Sequence, residues 1–194
     1  MCEYAHAMGL GAGELETYVK AFLNSDNMLG GCIWEFADHA IYNENGPYKY
    51  TYGGDHGEQK HDGAFCVDGL FFPDRTPHAG ALQMKNCYRP VRCREIDTDK
   101  YEFHNYKCFT NADYTVKWIY LLDGEEKQSG TFSLDIAPHS TQNVTLGINR
   151  LQGDEAVIFR YFDGDFEVAS EQVLNLCDDF KIHTSTETEP PVVD

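Results

Sequence analysis

Apolar residues recur with a helical period near the start of the chain. Five of them stand at i, i+3, i+4, i+7 and i+8 of one segment: Leu15, Tyr18, Val19, Phe22 and Leu23. This spacing predicts an amphipathic helix with one buried face, which ends near Asn24. The run from Leu29 to Phe36 is apolar on both faces and bounded by glycines, which is typical of a parallel strand covered on both sides. Strand-like and helical runs in this order indicate an α/β unit.

A polar segment and a second helix follow. Residues 43–63 are rich in Gly, Asn, Tyr and His without a helical or strand period, so they predict an ordered loop that keeps its aromatic residues. Thr76 as an N-cap, followed by Pro77 at the first helical position, predicts a helix that continues to Tyr88. Pro90 stops this helix, and we expect residues 1–90 to form one domain.

Alternation with a period of two dominates the chain from residue 91 onward. The strand-like runs are 101–106, 114–122, 130–134, 141–148 and 156–162. Asp123-Gly124 is a tight-turn signal between two of them, and the spacing predicts an antiparallel sandwich of immunoglobulin type over residues 91–180. We expect two of its aromatic side chains to point inward: Trp118 and Phe132. Residues 181–194 have neither core residues nor a period, which predicts a linker or tail.

Composition narrows the classes of function. The 194 residues carry a formal net charge of -17, which disfavours binding to nucleic acid or to an anionic membrane surface. No apolar stretch approaches the roughly 18 residues that would span a bilayer. The seven cysteines are an odd number and include no C-x-x-C pair, so they are interpreted as reduced core thiols in the cytoplasm.

The first residues combine groups that can do chemistry. Glu3, Tyr4 and His6 place a carboxylate, a phenol and an imidazole just before the glycines at 9–13, with neither a basic start nor an apolar leader before them. We expect the chain to begin inside a larger protein. A carboxylate at a strand end is a candidate nucleophile or base. The alternative is that Glu3 is a frayed terminal acid and His6 a surface residue.

A second polar group lies in the loop at 43–63. His56, Glu58, His61 and Asp62 are residue types that bind transition metals. Their spacing matches no metal motif, so we interpret them as solvated loop residues.

Several motifs resemble one family in the same order along the chain. They are residues 2–9 (CEYAHAMG), 30–38 (GGCIWEFAD), 52–55 (YGGD), 65–70 (FCVDGL) and 74–78 (DRTPH). All are similar to the glycoside hydrolases of family 2, specifically the bacterial β-galactosidases. The resemblance implies an α/β plus all-β chain: the end of a (β/α)8 TIM barrel, strands 7 and 8, followed by an immunoglobulin-like antiparallel β-sandwich.

The resemblance also implies a catalytic residue. Glu3 would be the nucleophile of a retaining hydrolase that releases terminal β-D-galactose, whereas the acid/base glutamate would lie upstream of Met1. Three nearby acids do not match the acid/base motif: Glu14, Glu16 and Glu35. Because a retaining mechanism needs two carboxylates, we expect the chain alone to be inactive.

The same resemblance assigns binding roles. His6, Trp34 and Asp68 correspond to substrate-binding positions, and Phe65, through its backbone carbonyl, and Asp68 correspond to ligands of a monovalent cation such as Na⁺. Asp68 stands where some relatives have asparagine, and Leu10 replaces a polar residue that is often found there. The implied Mg²⁺ of the parent enzyme would have ligands outside this chain. The implied partners are a β-galactoside, the rest of the parent and further copies of a homo-oligomeric parent.

Other interpretations remain open from the sequence. Without the resemblance, Trp34 would be taken as a packing aromatic of the barrel core. A β-glucuronidase or β-mannosidase would share the nucleophile, but His6 and Met8 favour galactose. The rival class of function is a non-catalytic carbohydrate-binding or protein-interaction module, in which the sandwich is the working part.

Overall fold

The computed structural model describes residues 1–175, and the chain divides into two compact units between Pro90 and Val91. The predicted tail at 181–194, and the last five residues of the predicted sandwich, lie outside the described residues. No helix in the described part is long and apolar enough to cross a membrane.

The first unit combines short strands with two helices. Its elements are β1 (Glu3–Tyr4), α1 (Leu15–Leu23), β2 (Cys32–Ile33), β3 (Ile41–Tyr42), β4 (Tyr50–Thr51) and α2 (Ala79–Cys87). β1 and β2 are parallel, with Glu3 opposite Cys32, and the helix between them confirms the predicted α/β unit. The buried core of this unit comes from the strands, both helices and the segments between them: Tyr4, Ala7, Ala12, Leu15, Val19, Leu70, Ala81 and Cys87.

Two predictions about burial in this unit were wrong. Leu23 is exposed at the end of α1, although the predicted apolar face included it. The strand predicted from Leu29 to Phe36 is shorter in the structure, where only β2 is a strand. Within β2, Cys32 is exposed rather than covered. Successive side chains of a strand point to opposite faces, and the core of this unit packs on the face that carries Tyr4 and Ile33.

Two element boundaries also differ from the sequence prediction. The segment 43–63 contains β4, which pairs with β3 and brings the Tyr42 and Tyr50 rings within 5.8 Å. α2 begins at Ala79 with His78 at its N-cap, rather than at Pro77. Pro77 instead forms an extended bridge with Phe71, so the chain is not yet helical there.

The second unit consists of two antiparallel sheets. Its strands are β5 (Val91–Asp97), β6 (Lys100–Asn105), β7 (Ala112–Leu122), β8 (Glu125–Ile136), β9 (Thr141–Thr145), β10 (Glu155–Asp163) and β11 (Phe166–Asn175). The sheet orders are β11-β10-β7-β8 and β5-β6-β9. Period-two alternation therefore correctly predicted strands, although β5 and β11 were not among the predicted runs. The predicted turn at Asp123-Gly124 joins β7 to β8, and both residues have positive φ.

One apolar core holds both sheets of this unit together. Tyr101 and Phe103 of β6 lie among buried residues of β7, β8 and β10, with the Phe103 and Phe159 rings 5.1 Å apart. Trp118 is buried in this core and Phe132 packs against it, as predicted.

The prediction that the cysteines are core thiols was wrong for several of them. The six described ones are free, and three of them are exposed: Cys2, Cys32 and Cys108. Cys87, the last residue of α2, is buried, where its thiol packs as a small apolar group.

Candidate active site

Three segments of the first unit lie side by side around the predicted site residues. The N–H of Trp34 donates to the carbonyl of Tyr4 at 3.2 Å, and the N–H of Ala7 donates to the carbonyl of Trp34 at 2.7 Å. The parallel ladder thus continues beyond β1 and β2. On the other side, the N–H of Glu35 donates to the carbonyl of Asp68 at 2.9 Å. These bonds bring together the segment that follows β1, the segment that follows β2 and the segment that contains Asp68. The three segments form one edge of the first unit, next to the ends of the two parallel strands.

Close backbone approach fixes the third segment. A Cβ on Gly69 would lie 2.2 Å from the carbonyl carbon of Ala37 and from the nitrogen of Asp38, so only glycine fits. Asp38 Oδ1 accepts the N–H of Gly69 at 2.8 Å, and its Oδ2 lies 3.0 Å from Nε2 of His78. Asp38 therefore holds the turn next to Asp68 in place.

Asp68 is the centre of the polar contacts at this edge. It is only 2% exposed. The indole N–H of Trp34 donates to its Oδ2 at 3.1 Å, and Nε2 of His6 lies 3.4 Å from the same oxygen. The other oxygen, Oδ1, is buried and has no hydrogen-bond partner among the described residues. Burying a carboxylate oxygen in this way destabilises the folded state unless a hydrogen-bond donor or a cation contacts the oxygen.

Glu35 is a site residue whose proximity to Asp68 the sequence did not reveal. Its carboxyl lies within hydrogen-bonding reach of Asp68, and its side chain is 19% exposed. Burial raises the pKa of Glu35, and Asp68 raises it further, while His39 at 3.4 Å acts in the opposite direction. From the sequence, Glu35 is only an acid that does not match the acid/base motif. Its position directly after Trp34 was the available signal.

The remaining predicted residues border this edge. The carboxylate of Glu3 is exposed and forms no hydrogen bond or ion pair with another described residue. The ring of Phe65 is exposed and lies 6.3 Å from the imidazole of His6, edge to face. Trp34 is 45% exposed, so in this chain it is not a packed core aromatic. The structure thus brings together His6, Trp34, Phe65 and Asp68.

The polar loop residues stabilise the loop itself. His56 Nε2 lies 2.7 Å from the hydroxyl of Thr51, and the Glu58 carboxylate accepts the N–H groups of Gly54 and His56. These backbone bonds lower the pKa of Glu58. An open cavity of about 490 Å³ lies beside this loop. It is bordered by Thr51, His56 and Glu58 of the loop and by Asp38 and Arg75. Within residues 1–175 no three His, Cys, Asp or Glu side chains form a group that could hold a metal ion by themselves.

Glu16 and Glu14 have different surroundings. Both carboxylate oxygens of Glu16 accept from the guanidinium of Arg89, at 3.1 and 3.2 Å, which ties α1 to the end of α2. Glu14 precedes α1 in a left-handed conformation with φ of 57°. Neither one lies among the residues that contact Asp68.

Comparison with known proteins identifies the family. The family model described as "Glycosyl hydrolases family 2, TIM barrel domain" matches residues 1–93. The family model described as "Beta-galactosidase, domain 4" matches residues 101–175. The chain belongs to glycoside hydrolase family 2. It contains part of the family's TIM-barrel domain followed by a β-sheet domain, which confirms the resemblance drawn from the motifs.

Relatives of this family resemble the chain over much of its length. A β-galactosidase of Actinobacillus pleuropneumoniae is 45% identical over 143 residues, covering 73% of this chain and 14% of that protein. One from Staphylococcus xylosus is 35% identical over 189 residues, with 90% and 19% covered. One from Photobacterium profundum is 36% identical over 156 residues, with 77% and 15% covered. The chain therefore spans less than a fifth of each of these relatives.

Proposed function

We propose that this chain is a piece of a retaining β-galactosidase, with Glu3 as the catalytic nucleophile. In this proposal β1 and β2 are strands 7 and 8 of a (β/α)8 barrel, and the two sheets of the second unit form an immunoglobulin-like sandwich. The observation that carries the proposal is the polar contact of His6 and Trp34 with buried Asp68, next to the ends of two parallel strands. Active sites of such barrels lie at that end of the strands.

Glu3 is suited to nucleophilic attack by its exposure. Its carboxylate would form a bond to the anomeric carbon of galactose and the leaving group would depart, after which water would hydrolyse the glycosyl-enzyme with retention. A second carboxylate about 5 to 5.5 Å away must protonate the leaving oxygen and later activate the water. Glu16 is engaged by Arg89 and Glu35 contacts Asp68, so we assign this role to a residue outside the chain.

The sugar would be held by the residues around Asp68. Trp34 offers an exposed ring face against which the C–H groups of galactose can pack, and His6 offers an imidazole for its hydroxyl groups. Asp68 would orient both, since its Oδ2 contacts the indole N–H and the imidazole. We expect this arrangement to favour a β-galactoside over other glycosides.

The residues present also fit a bound cation. The unpartnered, buried Oδ1 of Asp68 is an acceptor that a cation would satisfy, and the backbone carbonyl of Phe65 would be a second oxygen ligand. A cation bound there would supply a positive charge next to the substrate hydroxyl groups. The Mg²⁺ of the parent would bind elsewhere, and we propose that the parent is a homo-oligomer.

Hydrolysis of a chromogenic β-galactoside tests the proposal. The longer protein that carries this chain should turn over the substrate, and its Glu3→Gln variant should not. The 194-residue chain alone should show no turnover, because one carboxylate cannot serve as both nucleophile and acid. Absence of turnover by the longer protein would favour a non-catalytic carbohydrate-binding or protein-interaction module instead.

A further inference from the structure

We propose that His78 and Asp38 form a positioning pair for Asp68, and that this pair keeps the indole of Trp34 in the orientation that packs against the sugar. The inference rests on the proposed function, because it adds two residues to the support of the proposed galactose site. Neither residue touches the substrate. Both act through the backbone next to Asp68, so their effect can be measured in this chain without catalysis.

The first argument is that both oxygens of Asp38 are engaged. Oδ1 accepts the N–H of Gly69 at 2.8 Å, and Oδ2 lies 3.0 Å from Nε2 of His78. The side chain of Asp38 is only 7% exposed, so water hardly competes for either contact. A carboxylate only accepts hydrogen bonds, so Nε2 of His78 carries a proton and donates it. His78 thereby holds the Asp38 carboxylate in the orientation that receives the N–H of Gly69.

The second argument is how firmly His78 itself is held. Its backbone N–H donates to the carbonyl of Leu70 at 2.9 Å, and its carbonyl accepts N–H groups from the first turn of α2. Its ring stacks on the ring of Phe72, with the centroids 3.7 Å apart. The main chain and the ring of His78 are therefore both fixed, and its imidazole is preorganised to hold Asp38.

The third argument is the short path from Gly69 to the sugar-binding residues. The N–H of Gly69 and the carbonyl of Asp68 belong to one planar peptide group, and that carbonyl accepts the N–H of Glu35 at 2.9 Å. The side chain of Asp68 begins at this peptide, and its Oδ2 contacts the indole N–H of Trp34 and the imidazole of His6. Rotation of the peptide would move Asp68 away from both, and a shift of about 1 Å is enough to loosen such a site.

Two variants separate the hydrogen bond of His78 from the packing of its ring. His78→Gln keeps an N–H donor but loses the ring, whereas His78→Phe keeps a ring and loses the donor. We expect His78→Gln to resemble the unsubstituted chain and His78→Phe to release Asp38. The matched control is His61→Phe, the same change at an exposed histidine whose ring accepts the N–H of Gly63 within its own loop.

The indole N–H of Trp34 reports directly on Asp68. The chain has two tryptophans, so a ¹⁵N–¹H spectrum of the full chain shows two indole peaks, and Trp34→Phe assigns them. In His78→Phe we expect the Trp34 peak to shift and this N–H to exchange with water at least about fivefold faster, because its bond to a charged acceptor is weakened. The Trp118 peak is the internal control, because Trp118 lies in the core of the other unit.

Kinetics of the parent β-galactosidase proposed above give a second measurement. His78→Phe should raise KM for a chromogenic β-galactoside at least about threefold and change kcat by less than about twofold, which is the pattern of lost substrate binding. His78→Gln and His61→Phe should leave both constants as they are. Circular dichroism confirms the fold of each variant. Should His78→Phe not fold, His78→Ala replaces it, because His78→Ala and His78→Gln both lack the ring and only His78→Gln has a donor.

Two results would overturn the inference. One is an unchanged Trp34 peak and exchange rate in folded His78→Phe, which is expected if His78 only stabilises the fold. The other is an equal change of the Trp34 peak in His78→Gln and His78→Phe, which would assign the effect to the packing of the ring. Failure of the proposed catalytic function is distinguishable, because it would appear as absence of hydrolysis by the longer protein, whereas the response of the Trp34 peak needs no hydrolysis.

Discussion

The indole N–H of Trp34 donates a 3.1 Å hydrogen bond to Oδ2 of Asp68, a residue 34 positions further along the chain. Asp68 is 2% exposed, so the bond links a half-exposed aromatic ring to a carboxylate that water hardly reaches. Hydrogen bonds to charged acceptors are stronger than neutral ones, and low solvent access strengthens them further. We therefore expect this bond to fix the orientation of the Trp34 ring.

A double-mutant cycle measures this bond. The free energies of unfolding of Trp34→Phe, Asp68→Ala and the double variant should be non-additive by about 0.5 to 3 kcal/mol, because each single change already removes the same bond. The control pairs Trp34→Phe with Glu44→Gln, which makes no ion pair in the described part, and its effects should add. Additive effects of Trp34→Phe and Asp68→Ala would show that the bond contributes nothing.

Glu3→Gln should separate activity from stability. In the parent β-galactosidase proposed above we expect kcat to fall at least about 1,000-fold, as when a catalytic nucleophile is removed. In the 194-residue chain the free energy of unfolding should change by less than about 0.5 kcal/mol, because the Glu3 carboxylate is exposed and unbonded. Chemical denaturation measures the second effect, and a large loss of stability would contradict the exposed position.

Gly69→Ala should distort the site, whereas Gly13→Ala should not. The added Cβ at Gly69 would lie 2.2 Å from two backbone atoms, so the segment carrying Asp68 must shift, at a cost of about 1 to 3 kcal/mol. At Gly13 nothing lies within 4 Å of the added Cβ. We expect alanine there to be neutral or stabilising by up to about 1 kcal/mol. Equal effects in thermal unfolding would refute the close approach.

The raised pKa of Glu35 predicts a pH-dependent stability. Between its ordinary value of 4.5 and its raised folded value, the folded chain keeps a proton that the unfolded chain has lost. Stability therefore falls as pH rises through this window. The measurement is made with a chelator present. As pH rises through the window, the unsubstituted chain should lose stability relative to the Glu35→Gln variant, which has no carboxyl group at this position. A flat difference curve would contradict the shift.

In the second unit, substitution by alanine should affect stability very differently at two phenylalanines. Phe103 is fully buried between Phe132 and Phe159, so Phe103→Ala should cost about 3 to 5 kcal/mol through lost contacts and a cavity. Phe109 is 94% exposed, and Phe109→Ala should change stability by less than about 0.5 kcal/mol. Denaturation followed by the fluorescence of Trp118 measures both.

Much of the fold could be predicted from the sequence because local periodicity encodes it. The apolar spacing of Leu15 and Val19 correctly placed α1, and the alternation from residue 91, with the turn at Asp123-Gly124, correctly indicated antiparallel strands. The ordered motifs also predicted the family, since several unrelated segments agreed. The start of α2 was misplaced because the bridge between Pro77 and Phe71 is a tertiary contact, which local helix signals do not report.

The sequence by itself determined the residue types available for chemistry: an acid at Glu3, an imidazole at His6, an indole at Trp34 and an acid at Asp68. Only the tertiary structure decided which of them meet. The contact of Asp68 with Trp34 and Glu35 depends on the backbone passing close to Ala37, which Gly69 allows because it has no Cβ. Burial, and with it the unpartnered Oδ1 of Asp68, follows from packing of segments distant in sequence, and no local spacing encodes that.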